Sequence, residues 1–212
     1  MAEATNRPNL PLAATPAGRN PRLVPRPPRD SAPGIHHIGS GASGPSIYFR
    51  DDLDHAIWTR LFAAIVRRYG WKAIIVVELS THWHAIVETL DFSLSEGMQR
   101  LNGEYSKRFN ERYLRVGYLV RDRYWSRRKS TEAELVDAYS YDANNPVLAG
   151  LVSRAEDWKW SSFATTVGLS QTFEFVDATS VLAHFGAFPE TARAALLAHV
   201  TALAARSQQA AP

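Results

Sequence analysis

Cysteine is absent from all 212 residues, which excludes disulfides and thiolate metal sites and makes a cytosolic location the simplest expectation. Also missing is any apolar run approaching the roughly 20 residues needed to cross a bilayer, and the N-terminal residues contain no apolar signal-like core. A soluble protein with no membrane partner is therefore expected. Large apolar residues are scarce at the start of the chain, where eight of the twelve prolines fall in the first 33 residues among Arg, Asn and Ala. Residues 1–32 are expected to form a disordered or extended Pro/Arg-rich arm.

What remains is rich enough to fold. The composition is 45% hydrophobic with 23 aromatic residues, sufficient for the core of one full domain. The net charge is only +3, but residues 105–130 set nine cations against Glu111 and Asp122, so the rest of the chain is mildly acidic. A concentrated basic stretch interleaved with Tyr105, Phe109, Tyr113, Tyr118, Tyr124 and Trp125 suits a polyanion whose bases can stack. Arg108, Arg112, Arg121, Arg123, Arg127 and Arg128 are the candidate contacts to such a polyanion; a solvated charged face is the plain alternative.

Hydrophobic periodicity predicts the elements. GIHHI at 34–38 reads as a first strand, followed by a glycine-rich loop, GSGASGPS. Asp51 and Asp52 begin a helix whose stripe runs from Ile57 to Tyr69 and stops at Gly70. Residues 72–78 and about 82–89 read as a hairpin. A second helix is expected from Ser93 to about Glu111, with Ser93 and Glu96 as a capping box. Its inner stripe is Leu94, Met98, Leu101, Tyr105 and Phe109. GYLVRDRYW, 117–125, alternates as a fourth strand. A third helix starts near Thr131 and is expected to end at Asn144, because the residue before Pro146 disfavours helical geometry. Two short helices follow, near 177–184 and 189–204. This order defines an α/β (α+β) chain with a ferredoxin-like or RRM-like antiparallel sheet, packed helices and a C-terminal helical extension.

Inside the hairpin, THWHAIVE carries His82 and His84 at i and i+2, so both imidazoles leave one face of a strand. Such a pair is half of a divalent-metal site. Satisfied, half-buried histidines are the commoner outcome for so short a motif. The best candidate to complete the site is the third helix, ELVDAYSYDANNPV, where Tyr141 and Asn145 share a face four residues apart. An amide oxygen beside two imidazoles leaves room for phosphate and water, as Mg²⁺ or Mn²⁺ prefers. Taken singly, Asn145 could be a helix stop and Tyr141 an interfacial aromatic. Tyr139, about 200° around the helix from Tyr141 and six residues from Asn145, is the weaker alternative on this helix. His36 and His37 are expected to be structural, as are Trp158 and Trp160.

Four ordered blocks, THWHAIVET, SLSEGMQRLNGEYSKRFNERYLRVGYLVRDRYW, YDANNPVLAGLV and EDWKWSSF, resemble the HUH-type single-tyrosine transposases with the IS200-like domain, and most closely the REP-associated branch. The resemblance covers residues 33–169, leaving 170–212 as the helical extension. It implies that His82, His84 and Asn145 bind Mg²⁺ or Mn²⁺ and that Tyr141 is the catalytic nucleophile. It further implies single-stranded or hairpin DNA as partner, with nicking and rejoining through a 5′-phosphotyrosine. One of His36 and His37 matches a histidine common in the family. The chain departs from the pattern in its Arg-free, Asn-free glycine loop, in Ser80-Thr81 before the histidines, in Arg121-Asp122-Arg123-Tyr124, and in Asn144. A descendant that only binds structured DNA or RNA, and a phosphoesterase using water, are the competing readings. Monomer and homodimer both remain open.

Overall fold

The computed structural model describes residues 31–42, 47–120 and 122–209. Nearly all of the expected arm, part of the glycine loop and Arg121 lie outside them. Four strands, β1 (Gly34–Gly41), β2 (Lys72–Glu78), β3 (His82–Thr89) and β4 (Trp125–Lys129), form one sheet in the order β2-β3-β1-β4, with every neighbouring pair antiparallel. Helix α1 (Asp52–Tyr69) joins β1 to β2 and α2 (Leu94–Arg112) joins β3 to β4, so the expected ferredoxin-like α/β arrangement is present.

Local chemistry explains the boundaries. Asp51 caps α1 by accepting from the backbone N–H groups of Leu53 and Asp54, and Gly70 closes it at φ 62°, a conformation that costs glycine little. The α2 stripe of Leu94, Met98, Leu101, Tyr105 and Phe109 is wholly buried, as its spacing predicts. The capping box expected at Ser93 is not formed: Ser93 Oγ accepts from the Trp71 indole and Glu96 from the Tyr69 hydroxyl, so both caps are spent on tertiary contacts.

Helices cover both faces of the sheet. Trp83, Ala85 and Val87 point toward α1 and α2, while Ile86 points toward α3 (Glu132–Leu148) and the C-terminal α4 (Phe163–Thr166), α5 (Thr179–Leu182) and α6 (Pro189–Gln209). A bulge in β2 serves this division. Ala73 pairs with Val87 and Ile75 with Ile86, leaving Ile74 as the extra residue, so Ile74 and Ile75 both enter the α3 layer. The outer edge of β2 is closed by backbone bonds from Glu78 to Trp160, Ser162 to Val76 and Asp177 to Ala73. Trp160 stacks on His55 at 4.5 Å and the Trp158 indole donates to the Glu78 carbonyl, so both indoles pack within the fold. No described helix is long and apolar enough to cross a membrane.

Two expectations need correction. The fourth strand begins at Trp125, not 117, because Leu119 and Tyr124 are the residues that reach the core and their spacing of five breaks strand alternation. Helix α3 runs through Pro146 to Leu148. Proline there lacks only the N–H that would reach the Asp142 carbonyl. Burial of Val147 and a 2.9 Å bond from the Asn144 amide to the Val200 carbonyl hold the last turn against α6.

Trp83 is wholly buried with its ring 4.7 Å from that of Trp58, at the centre of the α1/α2 layer. Trp83→Ala is expected to lose roughly 3–5 kcal/mol of stability, read as a lowered urea midpoint with unchanged slope. A loss below about 1 kcal/mol would show that this layer does not carry the fold.

Candidate active site

The α3 face of the sheet gathers the chemistry. On β3, His82 and His84 alternate with Trp83, so both imidazoles lie on the side opposite the α1/α2 core. Register pairs His84 with Gly39 of β1, and Gly39 in turn with Trp125 of β4. A Cβ at position 39 would stand 2.5 Å from the Trp125 ring, so glycine is what lets that indole cross the strand. It packs edge-on against His37 at 4.7 Å and against His84 at 5.4 Å. His37 leaves β1 on the same side as Gly39, two residues along. His36 faces the other way, with Nε2 bonded to the Ala32 carbonyl at 2.8 Å.

Helix α3 closes this side. Thr131 and Glu134 form the capping box that starts it, the hydroxyl accepting from the Glu134 N–H and the carboxylate from the Thr131 N–H. Two turns later the helix presents Tyr141, Asp142 and Asn145. Asp142 is wholly buried: its Oδ1 accepts from His37 Nε2 at 2.9 Å and lies 3.6 Å from His84 Nδ1. One ligand atom from each of His37, His84 and Asp142 lies within 4.8 Å of the other two. Tyr141 is 52% exposed, with its ring 6.2 Å from that of His84. His82 is 5.0 Å from His84 between ring centroids, with its Nδ1 2.9 Å from the Thr81 hydroxyl.

Burial sets the protonation. It pushes His84 down to about 3, helped by neighbouring His82 and His37, and lowers His82 as well. Both rings are therefore neutral near pH 7 and keep a lone pair for a metal. Burial raises the Asp142 carboxyl, against the lowering effect of its bond from His37. Among the described residues, His84 Nδ1, Asp142 Oδ2 and the Asn145 amide nitrogen are buried without a hydrogen-bond partner. Two neutral imidazoles, His82 and His84, close to a carboxylate with one oxygen unpartnered among the described residues make a donor set that fits a divalent cation.

The structure brings Tyr141 to His84 and keeps Asn145 buried one turn further along α3. It adds two residues that the sequence reading did not assign to the site, His37 and Asp142. Their signals were faint. His37 shares the parity of Gly39, opposite His84, and Asp142 lies three residues before Asn145, on the same helical stripe.

The basic residues divide by position. Arg127 is exposed on β4 in register with His37, so it leaves the sheet on the site's face; Arg108 and Arg123 are exposed on α2 and ahead of β4. Arg128 lies on the other face and donates to the Pro33 carbonyl at 2.8 Å. Arg112 is engaged elsewhere, its guanidinium held by Asp51 at 2.5 Å and Asp54 at 2.6 Å, tying α2 to the start of α1. That guanidinium holds the Asp51 carboxyl down to about 2. Arg112→Ala is thus expected to lower the melting temperature by a few degrees, less so at high salt. An unchanged melting point would show that this ion-pair tie does not hold α2 to α1.

Fold and site together define a ferredoxin-like α/β protein whose sheet carries a buried His-His-Asp cluster suited to a divalent cation, with a half-exposed tyrosine at its rim. The chain is similar in fold to a solved REP-associated tyrosine transposase bound to a REP hairpin, at 17% identity and a TM-score of 0.58, over 66% of this chain and 83% of that one. No family model and no curated protein matches the chain.

Proposed function

We propose that this protein nicks and rejoins single-stranded DNA, presented as a hairpin, through a covalent bond between Tyr141 and a 5′-phosphate. The observation that carries this reading is the placement of Tyr141, solvent-open yet 6.2 Å from the ring of His84, in a fold shared with a tyrosine transposase. His82 has its Nδ1 beside the Thr81 hydroxyl and His84 has its Nδ1 toward Asp142, which leaves Nε2 of each ring as the outward lone pair. His82, His84 and Asn145 would hold Mg²⁺ or Mn²⁺, with Asp142 behind His84, and the ion would neutralise a nonbridging phosphate oxygen.

Tyr141 supplies the nucleophile, and its anchored helix holds it in position, replacing a bimolecular encounter by an oriented one. Its phenolic oxygen bonds to phosphorus as the bond from phosphorus to the 3′-oxygen breaks. The phenolic proton passes to solvent, and the departing 3′-oxygen takes one up. Attack by a 3′-hydroxyl on the phosphotyrosine reverses the step and frees Tyr141, so rejoining needs no ATP. Arg108, Arg123 and Arg127 would hold the backbone.

The reading is tested by incubating the protein with end-labelled hairpin DNA and Mn²⁺ and resolving the products in SDS. A protein–DNA adduct stable to denaturation is expected. Binding without an adduct under any divalent ion would overturn the reading in favour of a protein that only binds structured DNA or RNA.

A further inference from the structure

Across the sheet from the histidines, α2 together with Tyr118, Val120 and residues 122–124 bounds a cavity of about 770 Å³ that the proposed chemistry does not use. It falls within the range of small-molecule clefts and is ample for one nucleotide. Its rim is pinned at both ends. The Asn110 amide donates to the Gly117 carbonyl at 2.8 Å, and the Ser95 and Tyr124 hydroxyls meet at 3.2 Å. Between these ties Leu119 is buried, which forces its neighbour Tyr118 outward, 85% exposed at the cavity's edge.

The lining has the chemistry of a base-binding pocket. Gln99, with its carboxamide on an exposed residue, and Asn102 one turn on along α2 line the cavity beside the apolar side chain of Met98. A carboxamide offers a donor and an acceptor side by side, the pattern that matches adenine, and an open tyrosine ring offers a stacking surface. Position links the cavity to the candidate active site. Tyr124 lines it, and the next residue, Trp125, packs on His37 and His84. Pocket and active site thus lie back to back across the start of β4, the sheet's edge strand. A single strand bent around that edge could place a base in one and a phosphate in the other.

We propose that this cavity captures an unpaired adenine of the DNA strand and so fixes which phosphate reaches Tyr141. The proposal rests on the DNA-processing reading and adds to it a base-selective subsite. It is tested by fluorescence anisotropy with one hairpin carrying no extension, or a single-stranded oligo(dA), oligo(dC) or oligo(dT) extension, against the full-length protein and its surface variants Gln99→Ala and Tyr118→Ala. The wild type should favour the oligo(dA) extension over oligo(dT) by roughly tenfold. Either variant should reduce that preference below about threefold while binding the unextended hairpin as the wild type does. Equal affinity for all extensions in the wild type, or a preference intact in both variants, would overturn the subsite. Those results would leave the Tyr141 adduct untouched, whereas failure to bind any of the hairpins would overturn the DNA-processing reading itself.

Discussion

Tyr141→Phe is expected to bind hairpin DNA within about twofold of the native chain yet to form covalent adduct at least a thousandfold more slowly. The change removes one oxygen and keeps the ring against His84, so fold and affinity should survive. What disappears is the nucleophile, and loss of a group that bonds to the reacting centre is among the largest single effects in an active site. Tyr139 provides the control. It is wholly buried in the layer shared with Phe163, and burial raises its phenol far above the ordinary value, so it can neither reach DNA nor ionise. Tyr139→Phe should therefore retain the adduct. Undiminished adduct in Tyr141→Phe would remove Tyr141 from its role, and strand cleavage without adduct that persists in this variant would point to water as nucleophile.

Asp142→Asn is expected to weaken Mn²⁺ binding by roughly 10–100-fold, measured by titration calorimetry or by the loss of the free-ion signal in electron paramagnetic resonance. The carboxylate stands between His37 and His84, 2.9 Å from one and 3.6 Å from the other, with its second oxygen buried and unpartnered among the described residues. As an anion it favours the His84 tautomer that carries its proton on Nδ1 and offers Nε2 outward. A neutral amide of the same shape removes that charge and can turn its own NH₂ toward the imidazoles. The fold should tolerate the exchange because the volumes match. Asn145→Ala in the same titration separates the two contributions: affinity lost with Asn145 but not with Asp142 would restrict the site to His82, His84 and Asn145. Affinity unchanged in both would dissociate the metal from this helix.

Much of the architecture was legible in the chain because it is written in short-range periodicity. Residues 72–78 emerged as β2 with the expected limits, and the α2 stripe buried as its spacing predicted, since a period of 3.6 or 2 needs no knowledge of the partner surface. The errors occurred where a residue had two local uses and a distant contact chose between them. Ser93 and Glu96 could cap a helix, but the Trp71 indole and the Tyr69 hydroxyl took them first. Residues 117–124 alternate like a strand, but the core accepted Leu119 and Tyr124 instead. Pro146 would end an isolated helix, but packing against α6 carried α3 past it.

The same division runs through the candidate site. That His82 and His84 share a face follows from strand geometry alone, and that Tyr141 and Asn145 share one follows from the helix. Those relations are local, so the amino-acid sequence determined them unaided. Which of the two adjacent histidines on β1 joins His84, whether Asp142 turns inward, and whether Arg112 meets nucleic acid or Asp51 and Asp54 were decided only in three dimensions. Each depends on strand order and on how α3 lies across the sheet, and contacts between residues 105 positions apart, such as His37 with Asp142, leave no periodic trace in the chain.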